Sequence, residues 1–346
     1  MFFGRLFLLK KDLDQGWRFP EFHTILNFLA LEMQLLYLLN ILIFLLILNL
    51  PELFSGCTPS KKNKTCKCGQ YRLTELINLS FPSQNQSQPL ILEITSSEIV
   101  HGRRGTISSV CHAYWPQQNN CYALKKYNRS LQLANNEIEV LEYFNTLNDN
   151  ERNHIIKIQG SSIDNPPNNN NVLKYIVMDL AGMNLEEYYN NNFNENDREL
   201  LIINIIKCAA KALEQFHKHG IHLDIKATNF VLPYGKQSLE LCILIDFSGS
   251  VITKGRKIEV DEFVGTLPYI PPEYYNKQIK NFHPSFDIYS FGVMMYKFLK
   301  NIREDRFEVN LELVTTNEYL DQLAKDCMNE NPRLRPSISQ ILEILN

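Results

Sequence analysis

The sequence predicts an α+β chain of two unlike lobes, a β-rich amino lobe and a helical carboxy lobe, behind an N-terminal hydrophobic helix. Three observations predict it. Strand-like patterns crowd 91–100, 107–114, 121–127, 155–163 and 173–180, with one helical pattern between them at 132–146. Helical patterns then dominate at 197–219, 285–300, 317–329 and 336–345. A run of strands followed by a run of helices segregates the two kinds of element instead of alternating them. Finally, residues 24–50 are almost wholly apolar.

Residues 24–50 read TILNFLALEMQLLYLLNILIFLLILNL, in which Glu32 is the one formal charge; Met33 to Pro51 gives 19 uncharged positions. A helix needs about 20 apolar residues to cross a bilayer, so 24–50 is expected to be a single membrane span and the chain a single-pass membrane protein. A cleaved leader would have a shorter hydrophobic region, about 7–15 residues; a buried helix is the plain alternative. The flanks do not orient the span. Arg5, Lys10, Lys11 and Arg18 precede it, and Lys61, Lys62, Lys64, Lys67 and Arg72 come after it, whereas a clear excess would mark the cytoplasmic side. Acceptor triplets at Asn63, Asn78 and Asn85, with Cys57, Cys66 and Cys68, suit an oxidising lumen but do not fix the side on which the residues beyond the span lie.

Residues 51–90 are rich in Ser, Asn, Gln, Lys and Pro, which is linker composition. The remaining 91–346 make one large domain. Hydrophobic residues form 45% of the chain, enough for a sizeable core, and the net charge of −3 offers no basic excess for nucleic acid. Eight cysteines are too few for a disulfide scaffold in this length. The asparagine runs at 168–171 and 190–196 read as polar loops.

The string His222-Leu223-Asp224-Ile225-Lys226-Ala227-Thr228-Asn229 resembles the protein-kinase catalytic loop, H-R-D-x-K-x-x-N. The resemblance implies that Asp224 orients and accepts the acceptor hydroxyl proton, that Lys226 is the cation near the migrating phosphoryl, and that Asn229 is a magnesium ligand. Asp246 lies 17 residues after Asn229, in Leu244-Ile245-Asp246-Phe247-Ser248 behind an apolar strand. This resembles D-F-G, with Ser248 in place of glycine, and makes Asp246 the second magnesium ligand. Ser248 should hinder an inactive flip, because glycine supplies the backbone freedom such a flip needs.

Tyr122-Ala123-Leu124-Lys125 resembles V-A-I-K, so Lys125 should meet the nucleotide phosphates. Its partner should be a glutamate on the next helix. Glu137 is the first candidate and Glu139 the second, and the 12-residue separation from Lys125 to Glu137 is short for the family. The phosphate-covering glycine pattern survives only at Gly105, ahead of Val110. The family resemblance implies a nucleotide pocket from Gly105, Val110, Ala123 and Lys125 above, Met178, Asp179 and Ala181 in the strap between the lobes, and Val231 below.

Three further stretches resemble the family's architecture. Gly265-Thr266-Leu267-Pro268-Tyr269-Ile270-Pro271-Pro272-Glu273 looks like G-T-x-x-Y-x-A-P-E, Asp287-Ile288-Tyr289-Ser290-Phe291-Gly292 looks like D-x-W-S-x-G, and Asn331-Pro332-Arg333-Leu334-Arg335-Pro336 supplies Arg335 as the expected partner of Glu273. Together they imply the bilobal protein-kinase fold, with ATP and Mg²⁺ as cofactors and a protein substrate. Lys226 and the Gly265-Thr266 segment resemble the serine/threonine branch.

Leu223 departs from the pattern, which has Arg there to receive an activation-loop phosphate, so activity independent of such phosphate is expected. The altered glycine loop and Ser248 leave a weakly active binding module as an alternative. Cys66-Lys67-Cys68-Gly69-Gln70-Tyr71-Arg72 resembles the start of the protein O-mannose kinase family, which is lumenal and phosphorylates a sugar. That family lacks a normal catalytic loop, and this chain has one. Most protein kinases meet ATP and their protein acceptors in the cytosol, against the lumenal signs, so the side of the span on which 91–346 lies is left open.

Overall fold

The computed structural model describes residues 66–69, 73, 75–79, 90–100, 107–128, 130–164, 173–253, 265–275, 282–303, 307–309 and 317–346. The expected membrane span at 24–50 and Gly105 lie outside them. Among the described residues no helix is long and apolar enough to cross a membrane.

The amino lobe is built on six strands: β1 (Glu75–Leu79), β2 (Leu90–Val100), β3 (Ser108–Trp115), β4 (Asn120–Tyr127), β5 (Ile158–Asp164) and β6 (Leu173–Asp179). They form one antiparallel sheet in the order β1-β2-β3-β4-β6-β5. Period-two alternation sets its faces. Leu92, Ile94, Ala113, Trp115, Tyr122, Leu124, Tyr175 and Val177 pack together with Leu79 on one of them. β1 falls inside the stretch expected to be linker. It is five residues long, and its Ile77 and Leu79 join that apolar cluster while Leu76 and Asn78 stay exposed. So short an edge strand, set in polar sequence, carries little pattern of its own.

Between β4 and β5, helix α1 (Leu131–Asn145) starts at Ser130, whose hydroxyl accepts from the Leu133 amide. It buries Ala134, Glu137, Ile138, Val140, Leu141 and Phe144, the spacing of a helix face turned to a core.

The carboxy lobe begins with β7 (Ala181–Asn184) and α2 (Leu185–Asn192). The second is a helix that no sequence pattern announced, and its last three residues run into the asparagine-rich stretch 190–196 that was expected to be a loop. Asn184 and Glu187 close a capping box, and Leu185 and Tyr189 are buried, so the cap and two apolar anchors outweigh the poor helix propensity of asparagine. The long helix α3 (Arg198–His217) comes next, then β8 (Gly220–Ile221), β9 (Phe230–Pro233), β10 (Ile243–Leu244) and β11 (Val251–Ile252). These strands form two small sheets, β10-β9-β7 and β11-β8. Helices α4 (Ser285–Leu299), α5 (Glu318–Cys327) and α6 (Ile338–Leu345) complete the lobe. α4 is apolar nearly all round and is buried at 14 of its positions from Ser285 to Leu299, which makes it the lobe's central helix. Gly292 permits this: a Cβ there would lie 2.7 Å from Cys327 Cβ and 3.1 Å from the Ala324 carbonyl, so α4 and α5 pack too closely for any side chain.

Candidate active site

Lys125 and Ala123 alternate onto the same face of β4. Val110 on β3 pairs with Lys125, and Met178 on β6 pairs with Ala123. Register alone therefore groups three of the four residues expected above the nucleotide with one from the strap. Asp179 ends β6, and Ala181 opens β7, opposite Pro233. Val231 is buried on β9, paired with Asn184 and Ile243.

Lys125 is held by two carboxylates. Its ammonium lies 2.7 Å from Glu137 Oε2 and 2.8 Å from Asp246 Oδ1. Burial by itself would discharge this lysine, but Asp246 and Glu137 reverse that and raise its pKa well above the ordinary value. For Asp246 burial works the other way, towards protonation, and Lys125 overcomes it and holds the carboxyl well below the usual carboxylate range. Glu139, the second candidate, is exposed, whereas Glu137 is fully buried. Glu137 also accepts from the Tyr127 hydroxyl and from the Phe247 amide at 3.2 Å. The short separation from Lys125 closes because α1 begins only four residues after β4 ends.

Asp246 has a left-handed backbone, φ 65°. A non-glycine residue there is strained, of order 1–3 kcal/mol. The surroundings fix it: the Asn136 amide on α1 donates to the carbonyls of Phe247 (3.3 Å), Ser248 (3.0 Å) and Ser250 (2.8 Å). Phe247 is fully buried and stacks on Phe216 at 5.3 Å, with His222 edge-on at 5.2 Å. Ser248 donates to Asp246 Oδ1 at 3.1 Å. The residue that replaces glycine thus adds a hydrogen bond to the carboxylate beside it. Asn136 belongs to the site although no motif marks it; a polar residue one position before Glu137 was its only signal.

Asp224 and Lys226, expected in the catalytic loop, form a closed ring with Thr266. Lys226 donates to Asp224 Oδ2 (2.7 Å) and Thr266 Oγ1 (2.8 Å), and Thr266 donates to Asp224 Oδ1 (2.7 Å). Asn229 Nδ2 binds the Asp224 carbonyl at 2.7 Å and Oδ2 at 3.1 Å. The loop is braced from below by the fully buried Asp287, which accepts from the amides of His222 and Leu223, both at 2.7 Å, and contacts His217 at 3.0 Å. His222 is buried, which lowers its pKa and keeps the imidazole neutral. Its Nδ1 then takes the Asp224 amide at 3.3 Å and its Nε2 faces the Ile245 carbonyl at 3.1 Å.

Leu223 also has a left-handed backbone, φ 68°. Its side chain is buried with Ile221 and Phe286 in a small apolar cluster. Arg335 forms a two-pronged pair with Glu273, at 2.5 and 2.7 Å, and donates to the carbonyls of Ser285 and Asn329.

A family model for the protein kinase domain matches residues 101–344. The chain belongs to the protein kinase family. It is 27% identical over 275 residues to a dual specificity protein kinase Ttk of Danio rerio, covering 70% of this chain and 26% of that protein. It is 30% identical over 183 residues to a Wee1-like protein kinase of Arabidopsis thaliana, covering 49% of this chain and 34% of that one. A probable serine/threonine-protein kinase fnkE of Dictyostelium discoideum is 27% identical over 231 residues, 65% of this chain and 17% of that protein. The chain therefore spans about a third or less of the length of these relatives.

Proposed function

We propose that this chain transfers the γ-phosphoryl of ATP to serine or threonine hydroxyls of proteins. The ring of Asp224, Lys226 and Thr266 carries the reading. Its carboxylate is fixed at both oxygens by donors, so it presents an acceptor of defined direction to an incoming hydroxyl, and positioning of this kind supplies much of the rate in phosphoryl transfer. Asp224 takes the hydroxyl proton as the oxygen attacks the γ-phosphorus. Lys226 lies where it offsets charge on the moving phosphoryl. Lys125, aligned by Glu137, holds the ATP phosphates, and the apolar side chains of Val110, Ala123, Met178 and Val231 enclose the base, which the strap at Asp179 and Ala181 borders.

Asn229 and Asp246 suit Mg²⁺. Among the described residues, the hydrogen bonds on the Asp246 carboxylate, from Lys125 and Ser248, fall on Oδ1, which leaves Oδ2 for a cation. The Asn229 amide nitrogen is turned to Asp224, which leaves its carbonyl oxygen free to be a hard ligand. When bound, the ion would neutralise charge on the phosphates.

A membrane attachment through 24–50 belongs to the same proposal and rests on hydropathy alone. Asn78 is exposed on β1 and so is open to a glycan should the domain be lumenal.

The test offers Mg²⁺-ATP with protein acceptors and glycan acceptors side by side. Phosphoserine or phosphothreonine, lost by at least on the order of 10²-fold in Asp246→Asn, supports the reading. Phosphate on the glycan alone, or no turnover despite bound nucleotide, overturns it.

A further inference from the structure

On the six-stranded sheet, four side chains with metal-ligand chemistry converge: Cys66, Cys68, His112 and Cys121. Their ligand atoms all lie within 4.8 Å of one another. Cys66 Sγ is 2.8 Å from Cys68 Sγ, which is 3.5 Å from His112 Nε2. The strand pair explains half of the cluster. His112 on β3 pairs with Ala123, and Tyr114 pairs with Cys121 on β4, so His112 and Cys121 are diagonal neighbours on one face, within mutual reach. The other half comes from a turn, Cys66-Lys67-Cys68-Gly69, closed by the Gly69 amide on the Cys66 carbonyl at 2.9 Å. Gly69 has φ 72°, and the left-handed backbone bends the chain so that both thiols face the sheet.

We propose that these four residues bind one zinc ion, which staples the segment before the kinase domain to the β3-β4 hairpin.

Apolar packing does not account for the cluster. Cysteine can act as a small hydrophobe, but Cys66 is only 3% exposed within the sequence Lys-Lys-Asn-Lys-Thr-Cys-Lys-Cys, which offers no apolar neighbour to draw it inward. His112 is fully buried, and its Nε2 lies 3.5 Å from the Cys68 thiol. A disulfide uses only two of the three sulfurs. Zinc uses all four. Zn–S of about 2.3 Å and Zn–N of about 2.0 Å put the edges of a tetrahedron near 3.5–3.8 Å, inside the span from 2.8 to 4.8 Å seen here. Three thiols and one neutral imidazole form a known closed structural set, with no open position for chemistry. Binding releases three thiol protons and leaves a Zn(Cys)₃His centre of charge −1.

The placement gives the staple a consequence. His112 pairs with Ala123, and Cys121 stands four residues before Lys125 on the same strand. Strand β4 would thus be tied to the metal at one end and to the phosphate-binding lysine at the other.

The test uses the full chain, purified without chelator. Elemental analysis is expected to give one zinc per chain, and cobalt exchange to give a thiolate charge-transfer band with intense visible bands of tetrahedral Co²⁺. Loss of outer-sphere support alone weakens metal sites about 10–100-fold, so Cys66→Ser with Cys68→Ser, which removes two ligands, should weaken zinc binding by at least about 100-fold. Cys111→Ser, next to His112 but on the other face, should keep full occupancy. A metal-free chain with a disulfide among Cys66, Cys68 and Cys121 overturns the proposal. So does a metal-free chain with all three thiols titrating, or zinc retained by the double variant. Should the double variant fail to fold, the cobalt spectrum of the unaltered chain decides, because an octahedral or absent spectrum excludes the four-ligand site.

Discussion

Lys125 and Glu137 meet 12 residues apart, with the ammonium 2.7 Å from a carboxylate that has no solvent exposure. Lys125 reaches Asp246 with the same nitrogen. One lysine thus couples a strand of the six-stranded sheet, the helix beside it and the segment that would carry a metal ligand. Lys125→Met should slow turnover more than it weakens ATP binding, because alignment is its main task. Glu137→Ala should be crippling and Glu139→Ala silent. Steady-state kinetics with separately measured nucleotide affinity checks this, and the reverse order for the two glutamates would show that α1 is in another register in the working enzyme.

Asp224 accepts from Lys226 and Thr266 on different oxygens. Asp224→Asn should lower the rate by at least on the order of 10²-fold. Thr266→Val removes one donor to a charged group, worth about 1.5–3 kcal/mol, so kcat should fall by roughly 10- to 100-fold. Thr266→Ser keeps the hydroxyl and should restore most of it. A silent Thr266→Val would mean that the ring does not position the carboxylate.

Leu223 stands where a phosphate receptor would be, and its neighbours Ile221 and Phe286 are apolar. A phosphate on the activation segment would find no guanidinium at this place. Phosphatase treatment should leave the rate within about twofold. Leu223→Ala should cost about 2–5 kcal/mol of stability, the usual range for emptying a buried leucine site. Denaturant unfolding of the variant and activity before and after phosphatase separate the two statements, and a large drop on dephosphorylation would contradict the first.

The order of elements was legible because strands and helices differ in period and each long segment keeps one period. Helices α3 to α6 each lie within about three residues of their sequence bounds for this reason. β1 and α2 were not legible. The first is held by pairing with β2 and the second by a capping box with two buried side chains, and neither effect leaves a periodic trace in asparagine-rich or linker-like sequence. At the site, the choice between Glu137 and Glu139 was open because both flank Ile138; burial separates them. Asn136, Thr266 as a donor to Asp224, and the convergence of Cys66, Cys68, His112 and Cys121 all depend on contacts between distant segments, which spacing does not reveal.

The pair of Arg335 and Glu273 should behave asymmetrically on mutation. Both residues are buried, at 7% exposure, and joined by two hydrogen bonds. Removing one member of such a pair typically costs about 3–5 kcal/mol. Arg335 does more than neutralise Glu273. It also donates to the carbonyls of Ser285 and Asn329 and lies 5.1 Å from the Tyr289 ring. After Glu273→Ala the guanidinium keeps those partners, so the remaining charge is partly satisfied. After Arg335→Ala the carboxylate is left without its cation and two carbonyls lose a donor, each worth about 1–3 kcal/mol if left unpaired. Arg335→Ala should therefore destabilise more than Glu273→Ala. The Ser285 carbonyl lies in the first turn of α4, two residues before Asp287, the brace of the catalytic loop. Arg335→Ala should accordingly lower kcat as well as stability at temperatures where the chain is still folded. Urea unfolding of the two single variants, with activity measured well below each midpoint, checks both parts. Equal losses of stability would show that the carbonyl bonds contribute nothing, and an unchanged kcat in folded Arg335→Ala would show that the brace is independent of the pair.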